Sequence, residues 1–102
     1  MSPLIEQHRA QIEELCRKYR VKRLELFGSA ARGEFDPSHS DVDFFYEFDP
    51  SDEEGLVDRF FGLSEDLQAL LGVKVDLVSA LYAKNPYFLE VANRNRITLY
   101  AA

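Results

Sequence analysis

The residue pattern predicts a small α/β domain: a mixed β-sheet of about three to four strands, helices packed mainly on one face, and a group of carboxylates on the other side. Three observations lead there. Short runs of alternating or apolar residues, Val21 to Phe27, Asp41 to Phe48 and Val73 to Ser79, are separated by stretches whose apolar residues recur at helical spacing. The two longer helical stretches are amphipathic, so each has one face to bury against a sheet. Aspartates also occupy strand positions, where that residue type is depleted and costly to bury without a partner.

With 102 residues, the sequence has room for one domain over 1–102; a chain of that size buries roughly 60 to 70% of its unfolded surface, enough for one core. The composition is 46% hydrophobic and 29% charged with five Gly and four Pro, which calls for neither a disordered tail nor a linker. A lone cysteine, Cys16, excludes an intramolecular disulfide and a cysteine metal cluster. The start MSPLIEQH lacks the apolar run of a signal peptide and no segment is apolar enough for a membrane helix, so the expected location is the cytoplasm. A net charge of −6 argues against direct binding to nucleic acid, because that affinity comes from lysines and arginines neutralising phosphates. It leaves room for a nucleotide if metal ions carry the balancing charge.

In chain order, Ser2-Pro3 reads as N-cap and first helical residue, and Ile5, Ile12, Leu15 and Tyr19 continue one helix to about Tyr19, with His8 given no role. Val21 to Phe27 is a strand ending at Gly28, with Leu24 and Leu26 on one face and Glu25 and Phe27 on the other. Gly28 lets a ligand approach the main chain, and Ser29 to Arg32 reads as a short helical turn whose free N–H groups attract an anion, a phosphate seat in miniature. After a polar loop, Asp41 to Phe48 is the next strand. Ser51 and Glu54 form a capping box for a helix with the stripe Leu56, Phe60, Leu63, Leu67 and Leu70, closed by Gly72. Val73 to Ser79 is a third strand; Asn85-Pro86 opens a short helix with Phe88 and Val91; RITLY is a last strand. Arg94 and Arg96 fit either a phosphate contact or the solvated ends of elements.

The chemistry concentrates at the start of the second strand. Residues at i and i+2 of a strand point the same way, so Asp41 and Asp43 share a face about 6.6 Å apart at a rise of about 3.3 Å per residue. Nothing in the aromatic run that follows would solvate two such charges, and a divalent cation resolves their repulsion. Asp76, in the apolar run VKVDLVS, marks either a sheet edge open to water or a place at the same site, since neighbouring strands lie about 4.8 Å apart.

GSAARG followed by SDVD and an apolar run resembles the signature of the nucleotidyltransferase superfamily whose broad type is DNA polymerase β, and within it the small stand-alone minimal nucleotidyltransferases, or MNT proteins. The elements follow the family's order over nearly the whole chain. The resemblance implies the polymerase β-type fold, with Gly28 and Ser29 holding the triphosphate, Asp41 and Asp43 binding metals, and Asp76 as third carboxylate. Arg32 matches a commonly basic, nucleotide-binding position, although a salt bridge to Glu34 or Asp36 would equally explain it. In such a site two Mg²⁺ ions clamp the attacking and leaving oxygens of a displacement at phosphorus. An acceptor hydroxyl, activated beside Asp76, attacks the α-phosphate of ATP, and pyrophosphate leaves.

Small MNT proteins are commonly paired with a helical HEPN protein as the antitoxin of a toxin–antitoxin pair, like the MntA-type antitoxins, and transfer AMP to a tyrosine of that toxin. The resemblance therefore implies a protein adenylyltransferase with a HEPN partner. An MNT-like binding module that neutralises its partner by occlusion is the alternative, and a phosphoacceptor signalling domain, which would not need the Gly-Ser turn, is a weaker third.

Overall fold

The computed structural model describes residues 3–32, 41–50, 55–79 and 96–102. Its elements are α1 (Pro3–Gln7), α2 (Arg9–Lys18), β1 (Val21–Phe27), α3 (Ser29–Arg32), β2 (Val42–Phe48), α4 (Leu56–Leu71), β3 (Val75–Ser79) and β4 (Ile97–Ala101). The strands form one mixed sheet in the order β3-β2-β1-β4. β1 is antiparallel to both β2 and β4, whereas β2 and β3 run parallel. Parallel neighbours require a crossover, and α4 lies on it. The mixed four-stranded sheet with helices matches the expected class; the strand order is new.

Alternation along the strands splits the sheet into two faces. Leu24 and Leu26 of β1 and Val42 and Phe44 of β2 are fully buried in one core with Ile5, Ile12, Leu63 and Leu67 from the helices. Cys16 joins them as a free thiol, and burial pushes its pKa up to about 12, well away from reactivity. Among the described residues no helix is long and apolar enough to cross a membrane.

The first helix departs from its expected course. It is broken at His8 (φ −109°, ψ 12°), whose Nδ1 lies 2.8 Å from the Leu4 carbonyl oxygen, so the ring holds the end of α1 while α2 starts afresh. Its far end is fastened by backbone geometry. Arg20 takes a left-handed φ of 57°, and its carbonyl oxygen accepts the Asp49 N–H at 3.0 Å and an Arg59 guanidinium N–H at 3.1 Å. Arg59 also donates from Nε to the Tyr19 carbonyl at 3.0 Å and lies over the Phe48 ring, which explains a buried arginine in the first turn of α4.

Helix α4 bears out the Leu63 and Leu67 stripe and the Gly72 cap, where φ is 70° and the Gly72 N–H donates to the Gln68 carbonyl. Its start differs. Gly55, at φ 69°, is the N-cap, and Leu56 is 43% exposed, so the apolar stripe begins outside the core. The Ser2 cap, the Ser51 and Glu54 capping box, Arg94 and the helix with Phe88 and Val91 lie outside the described residues.

Helices α2 and α4 are also bridged at their surface. The Tyr19 hydroxyl donates to Asp66 Oδ2 at 2.5 Å and the Lys18 ammonium donates to the same oxygen at 3.1 Å, and these bonds hold the Asp66 carboxyl below its ordinary pKa of about 3.9. A carboxyl with a lowered folded-state pKa gives stability that is complete above its unfolded value and is lost as pH falls through the folded one. Melting temperature followed from neutral to acid pH should therefore fall less steeply for Asp66→Asn than for the parent below about pH 4. Parallel curves would exclude the bridge as a contributor.

Candidate active site

Strand register brings the predicted residues to one end of the sheet. Asp43 is the antiparallel partner of Phe27 on β1 and the parallel partner of Asp76 on β3. Directly paired residues project from the same face. Asp43 and Asp76 therefore stand side by side, on the face opposite Val42, Phe44 and Val75, and line a groove of about 480 Å³ together with Phe27, Phe60 and Ser64. β3 is the terminal strand of the described sheet, and Asp76 is paired in register with Asp43.

Gly28 closes this site from the β1 side. Its φ of +75° disfavours any L side chain, and a Cβ there would land on Asp43 Oδ2, with Asp43 Cγ only 3.3 Å away. The turn is thus glycine for two reasons, conformation and close approach. Ser29 opens α3 and Arg32 ends it; their side chains lie outside the described residues. Asp41 comes one residue before β2. Its Oδ2 lies 3.7 Å from Lys74 Nζ, and the adjacent Val42 N–H donates to the Lys74 carbonyl at 3.0 Å. Gly28, Asp43 and Asp76 are brought together, while Asp41 leans on Lys74 at the mouth.

The donors are carboxylate oxygens without sulfur or imidazole, a set suited to a hard cation such as Mg²⁺. Among the described residues no group of three or more His, Cys, Asp and Glu side chains is gathered closely enough to cage a metal. The residues present fit such an ion as an adjacent carboxylate pair, Asp43 and Asp76; Asp41 does not line the groove.

A second charge pair underlies the site and was not anticipated. Glu25, only 6% exposed, accepts both Nε and Nη2 of Arg96 at 2.5 and 2.6 Å. The Arg96 guanidinium also lies 4.8 Å from the centroid of Phe45, whose ring stacks on Phe27 at 4.1 Å. Arg96 is thus engaged by Glu25 and not a freely solvated end. Phe45 itself is 1% exposed. A signal existed: Glu25 in LELF breaks the same rule as Asp76, a carboxylate within an apolar strand.

Two outcomes follow. Glu25→Gln leaves Arg96 half-buried without its counter-charge and should cost about 3 kcal/mol in urea denaturation; a loss below about 0.5 kcal/mol would class the pair with surface bridges. Gly28→Ala should cost more than about 1 kcal/mol, and less in an Asp43→Ala background, where the carboxylate no longer meets the new Cβ. Equal costs in both backgrounds would show that only φ matters.

A nucleotidyltransferase domain family matches residues 8–99. A Methanocaldococcus jannaschii protein named "Putative protein adenylyltransferase" is 38% identical over 86 residues, covering 76% of this chain and 84% of that one. The fold of a solved "putative minimal nucleotidyltransferase" superposes with a TM-score of 0.74 at 32% identity, covering 95% of both chains. A tri-AMPylated Shewanella oneidensis HEPN toxin in complex with MNT antitoxin gives a TM-score of 0.62 at 19% identity over 95% of this chain and 72% of that chain, a likeness of fold. The strand-turn at Gly28, the in-register carboxylates and these matches agree: the chain belongs to the nucleotidyltransferase family of enzymes, in its minimal form.

Proposed function

We propose that this chain is a single minimal domain over 1–102 that works in the cytoplasm, transfers AMP from ATP to a tyrosine hydroxyl of a HEPN-type toxin, and so acts as the antitoxin of that pair. The observation that carries the reading is the register of Asp43 against Asp76 with Gly28 closed on the Asp43 carboxylate. The name of the Methanocaldococcus relative and the AMPylated toxin in the Shewanella complex support the choice of nucleotide and acceptor.

Each residue has a part in this scheme. Gly28, Ser29 and Arg32 seat the triphosphate, the first by backbone approach. Asp41, Asp43 and Asp76 would hold Mg²⁺, two ions in the expected form, and these supply neutralisation of charge developing on the phosphates. Asp76 orients the acceptor hydroxyl and takes its proton as that oxygen bonds to the α-phosphorus. The bond from the α-phosphorus to the bridging oxygen breaks, and pyrophosphate departs. Positioning and charge neutralisation provide most of the rate.

Incubation with α-labelled ATP, magnesium and the product of the neighbouring gene, followed by intact mass of both chains, tests the scheme. The partner should gain AMP; a chelator or Asp43→Asn should abolish the gain, and Asp76→Asn should slow it by about 10²–10⁴-fold. If Asp41→Asn/Asp43→Asn still silences the partner as well as the parent does, neutralisation is by occlusion and adenylyl transfer is not its cause.

A further inference from the structure

The N-terminal half of α4 carries an apolar surface that the core does not use. Val57 is 68% exposed, Phe61 57% and Leu56 43%, the large exposed hydrophobic residues of the described chain. Beneath them Tyr46, Phe48 and Phe60 form a ring cluster, with Tyr46 centred 5.2 Å from Phe48 and 5.5 Å from Phe60. Phe61 meets Phe60 edge-on at 5.3 Å. Together they wall a groove of about 430 Å³. Isolated exposed apolar residues are ordinary; a contiguous patch around a cluster of aromatic anchors is the usual mark of a binding surface.

Two features identify its occupant. Phe60 lines both this groove and the carboxylate groove, so the two are continuous. From Val57 to Ser64, which stands at the carboxylate groove, α4 rises about 10 Å, the length of about three extended residues. A polypeptide seated on the patch therefore delivers a side chain to Asp76 without leaving the surface. The second feature is charge. Asp58 and Glu65 are the exposed acids of α4, Asp66 being held by Lys18 and Tyr19, and its one cation, Arg59, is turned inward to the Tyr19 and Arg20 carbonyls. A second copy would set these acids against themselves across an isologous contact, and an anionic membrane would be repelled.

We propose that Leu56, Val57 and Phe61 form the footing on which the protein acceptor docks, and that the acceptor presents an apolar ridge flanked by lysines or arginines beside the hydroxyl it offers. This rests on the reading of the site as a protein adenylyltransferase and names the surface by which the acceptor is chosen.

The test compares the parent with Val57→Asp/Phe61→Asp and Asp76→Asn, using the product of the neighbouring gene as probe. Calorimetry reads complex formation and ATP affinity, intact mass reads AMP transfer, and light scattering reads oligomeric state. The double variant should weaken the complex at least tenfold and raise the partner concentration needed for half-maximal transfer in proportion, with ATP affinity unchanged. Asp76→Asn should keep the complex and lose transfer. If the double variant loses its thermal transition, Phe61→Ser alone should weaken the complex several-fold. Unaltered partner affinity in folded variants overturns the footing, as does absence of any complex with the parent, or a parent dimer that the variant dissolves while partner binding is kept. A complex sensitive to Phe61 without AMP transfer by the parent keeps the footing and removes the adenylyltransferase reading.

Discussion

Asp43 and Asp76 stand opposite one another on adjacent parallel strands, and like charges so placed push a sheet apart. What holds them is on the other side of the same strands. Val42, Phe44 and Val75 alternate with the aspartates and lie in the core against Leu63 and Leu67. A cross-strand charge conflict is worth about 0.2–1 kcal/mol, whereas burying each large apolar side chain returns about 1.5–3 kcal/mol. Packing decides the register, and the carboxylates are carried along by it. The helix layer thus aims the site, although among the described residues no helix supplies a carboxylate to the groove.

The same distinction between covered and exposed charge separates the ion pairs. Arg9 with Glu13 and Lys22 with Glu47 meet at 3.9 and 3.8 Å on the surface, where such pairs contribute between nothing and about 1 kcal/mol. Glu25 and Arg96 are bidentate, screened from solvent and capped by an aromatic ring. Arg96 directly precedes β4, so the pair ties that strand to β1 at the level of Phe27. Fastening the two outer elements of the β1 neighbourhood steadies the turn at Gly28, which a loose β1 would move away from Asp43.

Much of this was legible locally. Alternation marked β1, β2 and β3; the spacing of Leu63 and Leu67 and the glycine at 72 marked α4; aspartates inside apolar strands marked the site. What stayed hidden depends on distance along the chain. Glu25 and Arg96 are 71 residues apart, and nothing near either predicts the other. The order β3-β2-β1-β4 follows from tertiary packing and not from any strand's own pattern. The break at His8 arises from a side-chain bond to the Leu4 carbonyl competing with helix continuation, a choice that spacing of apolar residues does not register. The exposure of Leu56 shows the same limit, since a stripe says which residues share a side and not how far the sheet reaches beneath them.

Because core and carboxylates alternate along the same strands, they are written into neighbouring positions yet bear on different properties. A change at Asp43 or Asp76 removes a charge from the groove and leaves Val42, Phe44 and Val75 where they were; it even relieves a repulsion. The apolar face of α4 is separate from both. If the carboxylate pair carries the chemistry and the α4 face holds the partner, as proposed, a lineage of this fold can lose the first in one step and keep the second. The border between enzyme and inhibitor is narrow in such a molecule, and descent can cross it without passing through an unfolded protein.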